Sequence, residues 1–324
     1  MGTAASVVEE EAAPVREATG GGGGAWEINL VIRFEDISGI RPLAEGTACS
    51  CSRGTLDGRQ LVIKTLGAKS SETDAQDLER ELGVLQLLRH PHIARLVGSG
   101  QTPQRGMFVA TEYLSRGTLS TAIGTDSPEG SSWIWRARVR MWFPMEEALR
   151  QAAGVASALA YMHDEAIPGA KVVHRDIKGS NLAFAADGTL KVFDLGLAKI
   201  LRPRDLLGDN VYKMTGNTGS LRYMSPEVAR SLPANETADA YSFAVVLWEM
   251  VSLEQPFHFY GVKNMFEQVV MAGVRPRLAP EWPEGLKDIL ARCWSPDICE
   301  RPAMAETAKR LLGLLAPSAP QPQP

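Results

Sequence analysis

The chain has 324 residues, 44% of them hydrophobic, and a formal net charge of −4 at pH 7, enough to bury a large core in one two-part domain or in two domains. The mildly acidic balance excludes a general electrostatic footprint for nucleic acid, so no nucleic-acid partner is expected. Four cysteines, Cys49, Cys51, Cys293 and Cys299, make neither a disulfide framework nor a spaced zinc site; with no apolar run of membrane-spanning length and no secretory leader, a reducing, cytoplasmic setting is expected.

In chain order, residues 1–25 read as a disordered glycine-rich leader ending in the run Gly20–Gly24. Met1-Gly2-Thr3-Ala4-Ala5-Ser6 fits the pattern for N-myristoylation of Gly2, but Glu9, Glu10 and Glu11 stand where a polybasic second anchor would help. Next come short β-rich runs; Asp57-Gly58 marks a hairpin turn before the strand at Leu61–Thr65. Leu78, Leu82, Leu85 and Leu88 recur at helical spacing over 75–88, and His90-Pro91 disfavours continuation. A further strand is predicted over 107–112, and Tyr113-Leu114-Ser115-Arg116-Gly117 reads as a hinge.

Beyond the hinge, Gly124–Pro144 interleaves Trp133, Trp135 and Trp142 with Arg136, Arg138 and Arg140. Such alternation marks some nucleic-acid or peptide surfaces; the simpler expectation is a surface insertion whose tryptophans pack locally and whose arginines stay in water. Residues 145–163 carry one apolar face, while 238–251 are apolar almost all round and predict a buried helix. The proline-rich stretch 316–324 cannot build a core and reads as disordered. The expected class is α+β, with a small antiparallel β lobe carrying one helix over 26–112 and a larger, mainly helical lobe over 113–315.

The chemistry concentrates in Val-Val-His174-Arg175-Asp176-Ile-Lys178-Gly-Ser-Asn181 and in Phe193-Asp194-Leu195-Gly196. Taken alone, His-Arg-Asp is three polar residues in a turn; the full run, in this order and spacing, closely resembles the catalytic loop and metal-binding loop of the protein kinase family. The resemblance implies a bilobal kinase fold and phosphoryl transfer, which needs positioning and charge stabilisation more than covalent chemistry. On it, Asp176 orients the acceptor hydroxyl, Lys178 neutralises the moving phosphoryl group, and Asn181 and Asp194 hold Mg²⁺. Val62-Ile63-Lys64 resembles the strand supplying the phosphate-binding lysine, and Glu81 stands where the family's helix glutamate pairs with it. Thr111 becomes the gatekeeper beside adenine, with the Glu112 carbonyl and Leu114 amide as its hydrogen-bond partners. Gly219–Glu227 looks like the end of an activation segment, with Ser225 replacing the usual alanine; Glu227 is expected to pair with Arg301, and Asp239 to support the catalytic loop.

One segment departs from the pattern. Against the family's G-x-G-x-x-G-x-V, this chain has Ala44, Gly46, Cys49 and Cys51, so only the central glycine is kept. Backbone amides must approach phosphates there without an intervening Cβ, yet alanine and cysteine add little bulk, so the loop reads as weakened rather than broken. Val62 and Cys51 in the roof of the adenine pocket and Ala183 in its floor are expected to keep its volume nearly constant. The two thiols read as small apolar fillers more readily than as a redox sensor. Lys178 and the surrounding segments resemble serine/threonine kinases, most of all the tyrosine-kinase-like group. The implied cofactors are ATP and Mg²⁺; the implied partners are a protein substrate with a Ser or Thr acceptor and an upstream kinase acting at Thr215 or Thr218, whose phosphate would meet Arg175. The competing reading is a pseudokinase, a binding or scaffold module, and it rests on the glycine-poor loop.

Overall fold

The computed structural model describes residues 31–46, 48–127, 132–208 and 210–316. The leader and the far end of the chain, including the Gly2 site, lie outside the described residues. Strands β1 (Ser38–Glu45), β2 (Cys49–Leu56), β3 (Arg59–Leu66), β4 (Leu96–Thr102) and β5 (Gly106–Glu112) form an antiparallel sheet in the order β1-β2-β3-β5-β4. The β2–β3 hairpin closes in two residues, with Leu56 opposite Arg59. Asp57 and Gly58 both take positive φ, 50° and 73°, the backbone that a tight hairpin with right-twisted strands requires. Along β3 the side chains alternate: Leu61 and Ile63 enter a small core with Ile32, Ile37, Val97 and Phe108, which turns Val62 and Lys64 to the other face.

Helix α1 (Glu72–Leu87) packs on that face and begins three residues before the expected start at 75. The reason is a capping box: Ser71 Oγ accepts from the Asp74 amide while Asp74 Oδ2 accepts from the Ser71 amide at 2.7 Å. Together with Leu78, Val84 and Leu85, the helix buries the carboxylate of Glu81.

The second lobe is mainly helical. It comprises α2 (Leu119–Ile123), α3 (Trp133–Trp142) and α4 (Met145–Asp164), the short strands β6 (Lys171–Val173), β7 (Leu182–Phe184), β8 (Leu190–Val192), β9 (Lys199–Leu201), β10 (Leu206–Gly208) and β11 (Val211–Tyr212), then α5 (Pro226–Ala229) and α6 (Thr237–Ser252). Helix α7 (Val262–Asn264) runs into a π-helical segment, Met265–Met271, before α8 (Glu284–Cys293) and α9 (Met304–Leu315). Helices α4 and α6 lie at the centre of the main core, and α6 is buried from Ala238 to Val251. This is the α+β two-lobed architecture expected. Among the described residues no helix is long and apolar enough to cross a membrane.

The Trp/Arg stretch departs from its expectation. It folds into α3, N-capped by Ser132, and two of its three arginines are bound to protein rather than left to water. Arg140 is half-buried and donates to the Val251 carbonyl, while Arg136 pairs with Glu254. A guanidinium at the last turn of α6 satisfies a carbonyl that the helix itself cannot. Trp135 does pack locally, its indole N–H reaching the Ile123 carbonyl at 3.1 Å, but Trp133 and Trp142 remain 74% and 52% exposed.

Arg301 closes the lobe from below with a two-pronged bond to Glu227, Nη1 to Oε1 at 2.7 Å and Nη2 to Oε2 at 2.8 Å. Burial alone would raise the Glu227 carboxyl, but the Arg301 fork holds it below the usual range. Removing one partner strands a buried charge. Arg301→Met should therefore cost about 3–5 kcal/mol in urea unfolding, and adding Glu227→Gln should recover much of that loss.

Candidate active site

A cleft of about 670 Å³ separates the sheet from the helical lobe. Gly46, Cys51, Val62, Lys64, Glu81, Thr111, Glu112, Leu114, Ala183 and Asp194, all singled out in the sequence, line it. Ala44 and Cys49 line it as well, so the residues that replace loop glycines face the same space. At the hinge, the Leu114 amide has no acceptor among the described residues, whereas Glu112 has a second duty: its Oε1 accepts from the Arg95 amide and from Lys191 Nζ at 2.8 and 2.7 Å.

Lys64 stands between two carboxylates, 2.7 Å from Glu81 Oε2 and 2.8 Å from Asp194 Oδ1. Strand β3, helix α1 and the loop after β8 thus meet at one ammonium group. Burial would lower the lysine, but Glu81 and Asp194 outweigh it and keep Lys64 charged, above its ordinary range. Burial would also raise Asp194, and Lys64 holds it below the usual carboxylate value. For the deeper Glu81, burial and the nearby Asp194 prevail over Lys64, and its carboxyl is pushed up. The thiols of Cys49 and Cys51 are raised by burial, against the pull of Lys64, a direction that favours the protonated, unreactive form.

The catalytic-loop residues lie beside the cleft. Asp176 accepts from the Ser220 amide at Oδ1 (2.9 Å) and from Asn181 Nδ2 at Oδ2 (2.9 Å), and Lys178 Nζ sits 2.7 Å from the same Oδ2. Lys178 also donates to Ser220 Oγ at 2.8 Å, linking the catalytic loop to the activation segment. Asn181 Nδ2 bonds the Asp176 carbonyl too, at 2.9 Å, so its Oδ1 is left as the acceptor end of the amide. Beneath, Asp239 accepts from the amides of His174 and Arg175, both at 2.8 Å.

A family model described as protein tyrosine and serine/threonine kinase matches residues 37–311. The chain belongs to the protein kinase family. Serine/threonine-protein kinase VIK of Arabidopsis thaliana is 31% identical over 291 residues, 88% of this chain and 61% of the relative. Serine/threonine-protein kinase STY17, also of Arabidopsis thaliana, is 25% identical over 90% of this chain and 46% of its own length. The dual specificity protein kinase shkB of Dictyostelium discoideum is 27% identical over 88% and 41%, respectively. This protein kinase chain therefore spans about half the length of the relatives it matches.

Two features of this kinase escaped the sequence reading. His92 wedges its ring against α4 at Gly154, where an added Cβ would come within 2.1 Å of the imidazole, and its Nδ1 lies 2.7 Å from the Leu190 carbonyl; a histidine beside a proline gave no hint of a lobe-to-lobe contact. Glu249 lies fully buried in α6, accepting from Thr125 Oγ1 and from Tyr223 Oη at 2.9 Å. Its signal was available, a carboxylate inside an apolar run. Burial raises the Glu249 carboxyl to about 7, partly opposed by the Thr125 and Tyr223 hydrogen bonds. An acid raised in the folded state is most favourable while protonated, so its contribution is full below the ordinary value of 4.5 and falls as pH rises through about 7. Glu249→Gln should remove a pH-dependent loss on the order of 3 kcal/mol, seen as a flatter denaturant-midpoint profile from pH 5 to 8.

Proposed function

We propose that this chain is an active protein serine/threonine kinase that moves the γ-phosphoryl group of Mg-ATP onto a Ser or Thr hydroxyl. The observation that carries the reading is the unbroken link Glu81–Lys64–Asp194 across the cleft, which supports Lys64 as the cation that nucleotide phosphates need. The remaining residues fit the nucleotide and metal. The cleft volume suits a nucleotide, and the Leu114 amide offers a donor at its inner edge. An added Cβ at Gly46 would sit 2.9 Å from the Cys49 carbonyl, so the retained glycine is the one the loop's turn requires, while Ala44 and Cys49 already fit. The Asn181 Oδ1 and the Asp194 carboxylate are hard oxygen donors of the kind Mg²⁺ prefers. Mg²⁺, when bound, supplies charge neutralisation on the phosphate oxygens.

The chain's own residues do the rest. Ser220, Asn181 and Lys178 fix the Asp176 carboxylate from three sides, so it can accept the proton of a hydroxyl presented at the cleft mouth. Lys178 sits within reach of both Asp176 and Ser220 and offsets charge that develops on the transferring group. Asp176→Asn keeps the shape and removes the base. It should lower phosphotransfer from Mg-ATP to a generic basic protein by about 10²–10⁴-fold while leaving ATP binding intact, with phosphoserine and phosphothreonine identified by mass spectrometry in the wild-type reaction. Wild type that neither transfers phosphate nor binds ATP would overturn the reading in favour of a binding module.

Activation-segment phosphorylation belongs to the same proposal. Arg175 Nη2 contacts Thr215 at both its carbonyl (2.9 Å) and its Oγ1 (3.0 Å). Tyr212 is buried and Thr218 Oγ1 is tied to the carbonyls of Thr215 and Gly216, which makes Thr215 the favoured acceptor. A phosphate there would give Arg175 a charge-assisted bond in place of a neutral one. Thr215→Ala should lower the activity of kinase-treated material to that of untreated protein, and mapping of active protein should find phosphate on Thr215.

A further inference from the structure

On the helical lobe lies a groove of about 830 Å³ that the proposed reaction does not use. Met141, Trp142 and Phe143 at the end of α3 form one wall, Phe184 and the β7–β8 turn the floor, and Glu146, Glu147 and Arg150 at the start of α4 the far rim. Its aromatic rings are ordered against one another: Phe184 meets Trp142 edge-on at 6.3 Å and Phe143 at 6.0 Å between centroids. Yet Met141 is 85% and Trp142 52% exposed, a cost that an apolar surface bears when it has an occupant.

The groove's charge says what that occupant is not. Arg116 and Arg150 are set against Glu146, Glu147 and Asp187, and Arg150 is already paired with both glutamates; no strong field of either sign is offered to a highly charged segment such as Glu9–Glu11. An uncharged segment with apolar faces and carbonyl acceptors suits it better. A polyproline-II strand has this character, because proline rings present flat apolar edges, each proline removes a backbone donor, and little entropy is lost on docking against aromatic rings.

Such a segment follows α9 directly. Helices α4 and α9 pack along each other, and the start of α9 at Met304 shares a small cavity with His163 and Asp164 at the end of α4. The two helices therefore run antiparallel, and α9 ends toward the start of α4, the side on which the groove lies. After Leu315 the sequence reads Ala-Pro-Ser-Ala-Pro-Gln-Pro-Gln-Pro, uncharged, with prolines at 317, 320, 322 and 324. In polyproline II, at about 3.1 Å per residue, eight residues would reach about 25 Å, and prolines spaced as 317 and 320 would present the same face.

We propose that the groove between α3, α4 and the β7–β8 turn is a docking site for a polyproline-II segment and that its occupant is Pro317–Pro324 of the same chain. The test compares the full chain with a full-length variant whose four tail prolines, Pro317, Pro320, Pro322 and Pro324, are replaced by serine. A synthetic peptide of residues 316–324 is titrated into each by calorimetry. Saturable binding is expected to the serine variant and to be at least about tenfold weaker in the wild-type chain, where the tethered segment competes at millimolar effective concentration. Met141→Glu and Trp142→Ala, each made in the serine variant and checked for an unchanged melting temperature, should each abolish it. Equal affinity for the wild-type chain and the serine variant would overturn the assignment of the tail and leave the groove to a proline-rich segment of another protein. No binding to the serine variant, or binding that survives both groove substitutions, would overturn the docking site itself.

Discussion

The buried carboxylate of Asp239, in the first turn of α6, is the constraint on which the active-site geometry depends. Its two oxygens take the amides of His174 and Arg175, and Oδ2 also faces His163 Nε2 at 3.0 Å. Burial would raise this carboxyl; the hydrogen bond with His163, with help from the loop amides, holds it below the ordinary range. The bonds have something to hold against. Arg175 has φ of +71°, a conformation that costs a residue with a Cβ about 1–3 kcal/mol and persists only where the surroundings over-determine it. With Arg175 so placed, the chain reverses in time for Asp176 to point back toward Asn181 and Ser220, and the Arg175 guanidinium emerges beside Thr215.

The sheet lobe contributes a different kind of constraint. Lys64 lies on a strand paired on both sides, with β2 and β5, and its partners come from separate elements. Glu81 belongs to a helix, and Asp194, at φ of +61°, belongs to a loop of the other lobe. One ammonium between two carboxylates therefore joins β3, α1 and the Asp194 loop at a single point. His92, lodged against α4 at Gly154, ties the segment after α1 to the helical lobe.

Whether all three glycines of the pattern are needed over a nucleotide depends on where each Cβ would go. At Gly46 an added Cβ would meet the Cys49 carbonyl at 2.9 Å, whereas the side chains of Ala44 and Cys49 line the cleft. A pattern written in residue types makes all the glycines look equivalent, and the geometry shows that they are not. The same distinction applies to the arginines of α3. Their alternation with tryptophan looks like a wet surface in one dimension, but Arg140 reaches a helix end 111 residues further on, and no local pattern contains that distance.

The sequence by itself determined what nearest neighbours decide: the Asp57-Gly58 hairpin, the apolar faces of α1 and α4, and the all-round burial of α6. These depend on backbone sterics and periodicity, which act over a few residues; the order of polar residues from Lys64 to Asp194 was legible through its resemblance to the protein kinase family. Tertiary structure decided which side chains share a charge or a cavity. It set Glu249 under Tyr223 and Thr125, tied Arg140 to the end of α6, drew Lys64 between carboxylates 17 and 130 residues away, and left Trp142 at the rim of an open groove. Those outcomes follow from burial and dielectric environment, which are properties of the packed chain.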